Sequence, residues 1–343
     1  MSEPASFLDA AWGKSTPHAP VWLMRQAGRY LPEYRELKER HGFWRMVRTP
    51  ELAVEVTLQP IRRFPLDAAI LFSDIMTPLP PMGVDIDFAP GPVLAEPVRT
   101  RSDVDRLRVP DAGELAPFVA DAVRLLRSES PVPLIGFAGA PLTLATYLVQ
   151  GTGTTEHADL RAWLAREPET AHALLDKLTE VTIRYLRTQV EAGAQAVQLF
   201  DSWAGVHDVA GYARFGLPYA HRVLDALAGT VPRIYLAVGS SHLYGRIATL
   251  PAEVVSVDWR RPLRDCRAEL PGLALQGNLD PGLLLTTPEL AVAGAHEVLR
   301  AGLGGAHIFN LGHGVLPGTD PDTVARLVDA VHEFPRTEGD QQP

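Results

Sequence analysis

No stretch of this sequence approaches the roughly 20 consecutive apolar residues that span a bilayer, and the opening Met1-Ser2-Glu3-Pro4 has neither the basic nor the apolar region of an export signal. A cytoplasmic protein without a membrane partner is therefore expected. Cysteine occurs once, at Cys266, which excludes an internal disulfide and a zinc cage of several thiolates. Positive charge is also short: the formal net charge is -9, so an extended nucleic-acid-binding face is not expected, because a phosphate backbone rewards a broad basic surface. An anionic ligand would need a local pocket. Lysine is confined to Lys14, Lys38 and Lys177, and asparagine to Asn278 and Asn310, so each placement of these residue types carries information.

What the chain does have is apolar material, 46% of 343 residues, enough for a large core. Eight short runs rich in apolar and β-branched residues recur along it: Val21–Met24, Ala68–Phe72, Pro133–Phe137, Ala196–Phe200, Arg233–Val238, Val254–Trp259, Leu273–Gln276 and His307–Leu311. Between them lie helical patterns, as in Glu51–Phe64, Glu114–Arg127, Ala171–Glu191, Val209–Ala228, Pro288–Ala301 and Asp322–His332. Strand and helix alternating eight times predict a single α/β domain, a (β/α)8 TIM barrel over residues 10–335, with loose ends at 1–9 and 336–343. The rival doubly wound sheet calls for G-x-G-x-x-G after an early strand, and neither of the first two runs is followed by it. Met76–Pro110, rich in Pro and Gly, predicts a long loop or hairpin excursion after the second strand, either walling a barrel mouth or covering the flank.

Active sites of such barrels gather at the C-terminal ends of the strands, which here hold Arg25, Gln26 and Arg29; Ser73 and Asp74; a stretch leading to Tyr147; Asp201 and Ser202; Ser240 and His242; Asp258; Asn278 and Asp280; and Asn310 and His313. No lysine stands at a strand end, which removes Schiff-base and pyridoxal phosphate chemistry. The first run is followed by no histidine pair for a metal, and Ser202 lacks the G-x-S-x-G of a nucleophile elbow. What remains is arginines facing one carboxylate. Arg25 and Arg29 share a face if a helix starts after Met24, either as an anion dock or as a solvated basic face. Asp74 follows a greasy run and reads either as a charge at the rim of an apolar pocket or as a helix cap or partner for Arg25. Tyr147, Ser202 and His313 read either as ligand donors or as structural hydrogen-bonding groups.

Two segments, Trp22 to Pro32 (WLMRQAGRYLP) and Ile135 to Tyr147 (IGFAGAPLTLATY), resemble the signature motifs of the uroporphyrinogen decarboxylase family, and Arg62–Ile70 leading into Phe72-Ser73-Asp74, Gln198–Phe200, Leu275–Pro281 and Asn310–Gly314 extend the likeness from about Ala10 to Val331. The resemblance implies a homodimeric (β/α)8 barrel that removes CO2 from the four acetates of uroporphyrinogen, with no cofactor and no metal. It further implies that Asp74 accepts the pyrrole N–H groups and stabilises a ring cation, that Arg25 and Arg29 act in catalysis, and that Arg25, Gln26, Ala27, Gly28, Arg29, Asp74, Tyr147, Ser202 and His313 contact substrate. Lys38 and Tyr34 stand where animal members of the family have arginine and phenylalanine.

Overall fold

The computed structural model describes residues 5–88, 92–151 and 157–335. Its centre is a curled, wholly parallel sheet in the order β1-β4-β5-β6-β7-β8-β9. The strands are β1 (Ala69–Ile70), β4 (Leu134–Gly139), β5 (Ala196–Asp201), β6 (Arg233–Ala237), β7 (Val254–Ser256), β8 (Ala274–Gln276) and β9 (His307–Ile308). Two more, β2 (Ile86–Phe88) and β3 (Pro92–Leu94), form a separate antiparallel pair between β1 and β4; Ala89, Pro90 and Gly91 lie outside the described residues.

The expectation of eight strands is corrected to seven. Val21 makes only an isolated parallel bridge to Phe309. Local chemistry prevents a full strand there. Pro20 has no N–H to give, and the Val21 N–H goes to the Asp67 carboxylate at 2.7 Å instead of to a backbone carbonyl. The Phe309 N–H donates to Pro20 O at 2.8 Å and the Asp67 N–H to Val21 O at 2.8 Å, so this segment still links the two edge strands, β9 and β1.

Helices pack outside the sheet near the predicted places, although the span Glu114–Arg127 is divided between Ala112–Leu115 and Pro117–Glu129, broken at Ala116 before Pro117. The longest, Pro168–Ala192, overruns its predicted span at both ends, starting on a proline at its first position and stopping at Gly193, whose φ of 119° only glycine adopts readily. It is fixed to β4 by Gln189, whose amide both accepts from the Phe137 N–H and donates to Phe137 O at 2.9 Å. Gly136 makes room for this: a Cβ there would come within 2.7 Å of Gln189 Oε1. The span Val209–Ala228 is two helices, Val209–Phe215 and Leu217–Asp225, broken at Gly216.

The N-terminal boundary also shifts. Ala5–Ala11 is helical, and Phe7 and Ala10 are fully buried in the core, so residues 5–9 are not loose; 1–4 and 336–343 lie outside the described residues. Inside the curl, polar side chains interrupt the apolar packing: the Trp22 indole donates to Gln276 Oε1 at 2.9 Å, and the Gln276 amide donates to Gln198 Oε1 at 2.9 Å and Ser256 Oγ at 3.0 Å. Among the described residues no helix is long and apolar enough to cross a membrane.

Candidate active site

The arginine segment is built by a turn rather than by a helix. The condition under which Arg25 and Arg29 would share a helix face is not met, since helix begins only at Pro32, running Pro32–His41. Arg25 takes φ 64°, left-handed and costing on the order of 1–3 kcal/mol for a residue with a Cβ. Gln26 holds that turn. Its Oε1 accepts the Leu23 N–H at 3.0 Å, its Nε2 donates to Ala68 O at 3.1 Å, and its carbonyl accepts the Tyr30 hydroxyl at 2.9 Å. Fully buried, the Gln26 side chain is engaged by the protein and shapes the turn. The turn leaves the N–H groups of Ala27, Gly28 and Arg29 without protein acceptors among the described residues. Gly28 is required where it stands, since a Cβ would lie 2.8 Å from Arg25 O.

The Arg25 side chain lies across Gly314, where an added Cβ would meet Arg25 Cδ at 2.4 Å. The side chain is exposed to solvent, with enough protein around it to disfavour its charge. Burial and the nearby Arg29 charge both lower its pKa, while Tyr147 and Asp74 oppose that. Asp74 sits in the same crowded place. Burial lifts its carboxyl to about 6 against the pull of the Met76 N–H and Arg25. The Met76 N–H donates to Oδ1 at 2.8 Å, so Asp74 does cap a turn, but no described protein group donates to Oδ2. The turn cap and the nearby Arg25 charge meet on one carboxylate.

Tyr147 lies on the helix Pro141–Gln150, which starts directly after β4. Its ring meets Trp203 edge-on at 6.2 Å, which brings it to the residue after Ser202, and burial raises its pKa so that the hydroxyl stays a donor. His313 is drawn in from the far edge. Burial, Arg25 and Arg260 press its pKa down to about 4, with Asp258 opposing, so near neutral pH it is an uncharged imidazole. Beyond Arg29 an open cleft of about 560 Å³ is lined by Arg29, Arg35, Lys38, Glu39 and Pro317. Arg35 is tied to the carbonyls of Arg29 and Tyr30 at 2.9 and 3.0 Å. Arg29 lines this cleft and also acts electrically on Arg25.

The structure thus gathers Arg25, Arg29, Asp74, Tyr147 and His313, with Ser202 one residue from the Tyr147 wall. The two asparagines serve backbone. Asn278 donates to Asp258 O at 2.8 Å and Arg261 O at 2.7 Å, and Asn310 Oδ1 accepts from the Met24 and Leu311 N–H groups. Sequence reasoning passed over Trp203, although it stands beside Ser202, and left Gly314 without a task. Cys266 is buried with its Sγ 3.6 Å from the Tyr244 hydroxyl. Among the described residues no three His, Cys, Asp or Glu side chains converge as a metal site would require.

Fold and site together define an α/β enzyme whose cleft opens at the C-terminal ends of parallel strands and presents guanidiniums around one carboxylate. The family model described as uroporphyrinogen decarboxylase (URO-D) matches residues 3–334. A uroporphyrinogen decarboxylase of Nocardioides sp. is 49% identical over 338 residues, 97% of each chain. One from Citrifermentans bemidjiense is 46% identical over 335 residues, 96% of this chain and 98% of that one. Among solved structures, a methyltransferase from Methanosarcina mazei superposes with a TM-score of 0.82 at 21% identity, covering 96% of this chain and 98% of its own, a likeness of fold. The chain belongs to the uroporphyrinogen decarboxylase family.

Proposed function

We propose that this protein removes CO2 from the four acetate side chains of uroporphyrinogen III, giving coproporphyrinogen III for haem biosynthesis. The observation that carries the reading is Asp74: a carboxylate with Oδ2 free, in surroundings enclosed enough to raise its pKa to about 6, beside Arg25. Pyrrole N–H donors fit that oxygen. The substrate's carboxylates fit Arg25, Arg29, the free N–H groups of Ala27, Gly28 and Arg29, and the neutral donors Tyr147, Ser202 and His313.

In the proposed reaction a proton adds to the ring α-carbon next to the one that bears the acetate, and the pyrrole becomes a cation whose charge is shared by the acetate-bearing carbon and the nitrogen. Asp74 stabilises that charge, and does so more strongly in an enclosed site than in water. The bond to the carboxylate breaks, its electron pair quenches the cation, CO2 leaves, and a second proton converts the resulting exocyclic methylene to a methyl group while the first is returned. The protonated ring is itself the electron sink, so the scheme calls on no cofactor. Arg25 is a candidate by position to pass protons, beside water and a substrate carboxylic acid. A cytoplasmic homodimer is part of this reading.

The test is anaerobic turnover of freshly reduced uroporphyrinogen by purified protein without added metal, with products separated by chromatography. Coproporphyrinogen is the expected product. Tight substrate binding with no CO2 released would mark a tetrapyrrole carrier instead.

A further inference from the structure

A second carboxyl is buried beside the site, and the reaction scheme does not use it. Asp201, the last residue of β5, is fully buried, and no charged side chain contributes to its environment. Two hydroxyl arms reach it. The Thr143 hydroxyl donates to Oδ1 at 2.7 Å, and the Tyr235 hydroxyl donates to Oδ2 at 2.7 Å. Each arm continues outward. Thr143 Oγ1 accepts the Trp203 N–H at 3.2 Å, and the Tyr235 oxygen, having spent its own proton, receives the hydroxyl proton of Tyr212 at 2.8 Å. Both chains therefore run their donors toward one acceptor, and each link polarises the next.

The network joins the parts that carry substrate donors. Thr143 is one helical turn before Tyr147 on Pro141–Gln150, so the Oδ1 arm grips the helix that presents Tyr147. Ser202 directly follows Asp201, and the Trp203 N–H held by Thr143 fixes the other side of Ser202. The turn is pressed in from below as well: a Cβ on Gly205 would lie 2.3 Å from Val238 O. Leaving an ionisable carboxyl this deep without a cation costs stability, and burial raises its pKa to about 6 against the two hydroxyl donors. An apolar residue would pack there at lower cost. That cost needs a return, and the geometry points to one.

Resting on the decarboxylase reading above, we propose that Asp201 is a positioning residue that, through Thr143, registers the Ser202 turn against the helix bearing Tyr147, setting the spacing of two substrate donors.

Thr143→Val removes both bonds of that hydroxyl at nearly constant shape, and Thr143→Ser keeps the oxygen. The expected result is a fall of about tenfold in kcat/KM for Thr143→Val, mainly through KM, with Thr143→Ser within about twofold of wild type. In a Ser202→Ala background the Thr143→Val loss should shrink, since the donor it places is gone. Tyr235→Phe removes the other arm without touching Thr143; it should raise KM about twofold to threefold, and it serves as the measurement should Thr143→Val fail to fold. A purely structural role lowers the melting temperature and the folded fraction but leaves KM unchanged. Wild-type kinetics per folded molecule in Thr143→Val, or equal damage in Thr143→Ser, overturns the proposal. Absence of turnover in the wild type would instead overturn the decarboxylase reading, so the two failures are distinct.

Discussion

Asp74→Asn should make the protein more stable while disabling it. The carboxyl's pKa rises from an ordinary 3.8 to about 6 on folding, chiefly through burial. At about 1.36 kcal/mol per pKa unit the full penalty of keeping it ionised is about 3 kcal/mol; because the group retains some contact with water in the cleft, we expect about 1–2 kcal/mol. The sign follows from proton binding. Between pH 4 and 6 the folded state holds a proton that the unfolded state has released, so stability falls as pH rises through that window and stays low above it. Asparagine carries no such charge and keeps an oxygen for the Met76 N–H, so the turn cap survives. Urea denaturation of wild type and Asp74→Asn at matched concentration, at pH 8 and near pH 4, tests this. The variant should gain about 1–2 kcal/mol at pH 8 and nothing at the acid end. Asp201 has a similar pKa and lies in both proteins, so the difference isolates Asp74. Turnover should fall by about a hundredfold or more, and substrate binding should weaken too, because the oxygen kept for Met76 leaves an amide NH2 facing the pyrrole N–H donors. A variant less stable at pH 8, or equally displaced at both pH values, refutes the burial argument; normal turnover refutes the electrostatic role.

Other outcomes follow from the same geometry. Gly314→Ala puts a methyl group 2.4 Å from Arg25 Cδ, so that side chain must leave its seat; the fold should persist while KM rises about tenfold, measured by steady-state kinetics. Gln26→Leu strands the Leu23 N–H and Ala68 O in the interior and should cost about 2–4 kcal/mol, read by urea denaturation; unchanged stability would mean that the turn at Arg25 holds itself. His313, with its pKa pressed to about 4 by burial and then by Arg25, should show no titration by NMR between pH 5.5 and 8, and a midpoint near 6.5 would refute its burial beside that cation.

Much of this protein can be read from its sequence because the signals are local. Short continuous apolar runs mark strands buried on both faces and period-3.6 patterns mark helices with one buried face, so Pro133–Phe137 and Ala196–Phe200 pointed to the strands Leu134–Gly139 and Ala196–Asp201 and to helices around them. The scarcity of lysine and cysteine removed whole chemistries, and a charge pair such as Arg25 and Asp74 stands out in an acidic, apolar chain. Other features depend on groups far apart in sequence. Val21 looks like strand, but its N–H is taken by Asp67, 46 residues on, so only one bridge forms. Gln26 shapes its turn because Ala68 O, 42 residues on, takes its amide. Arg25 lies left-handed across Gly314 at the other end of the chain, a seat that no sequence window contains. Sequence by itself determined which residues carry charge and which faces turn inward. Only tertiary structure decided which polar groups remain free, because a hydrogen-bonding group is free or spent according to what the rest of the chain brings within about 3 Å of it.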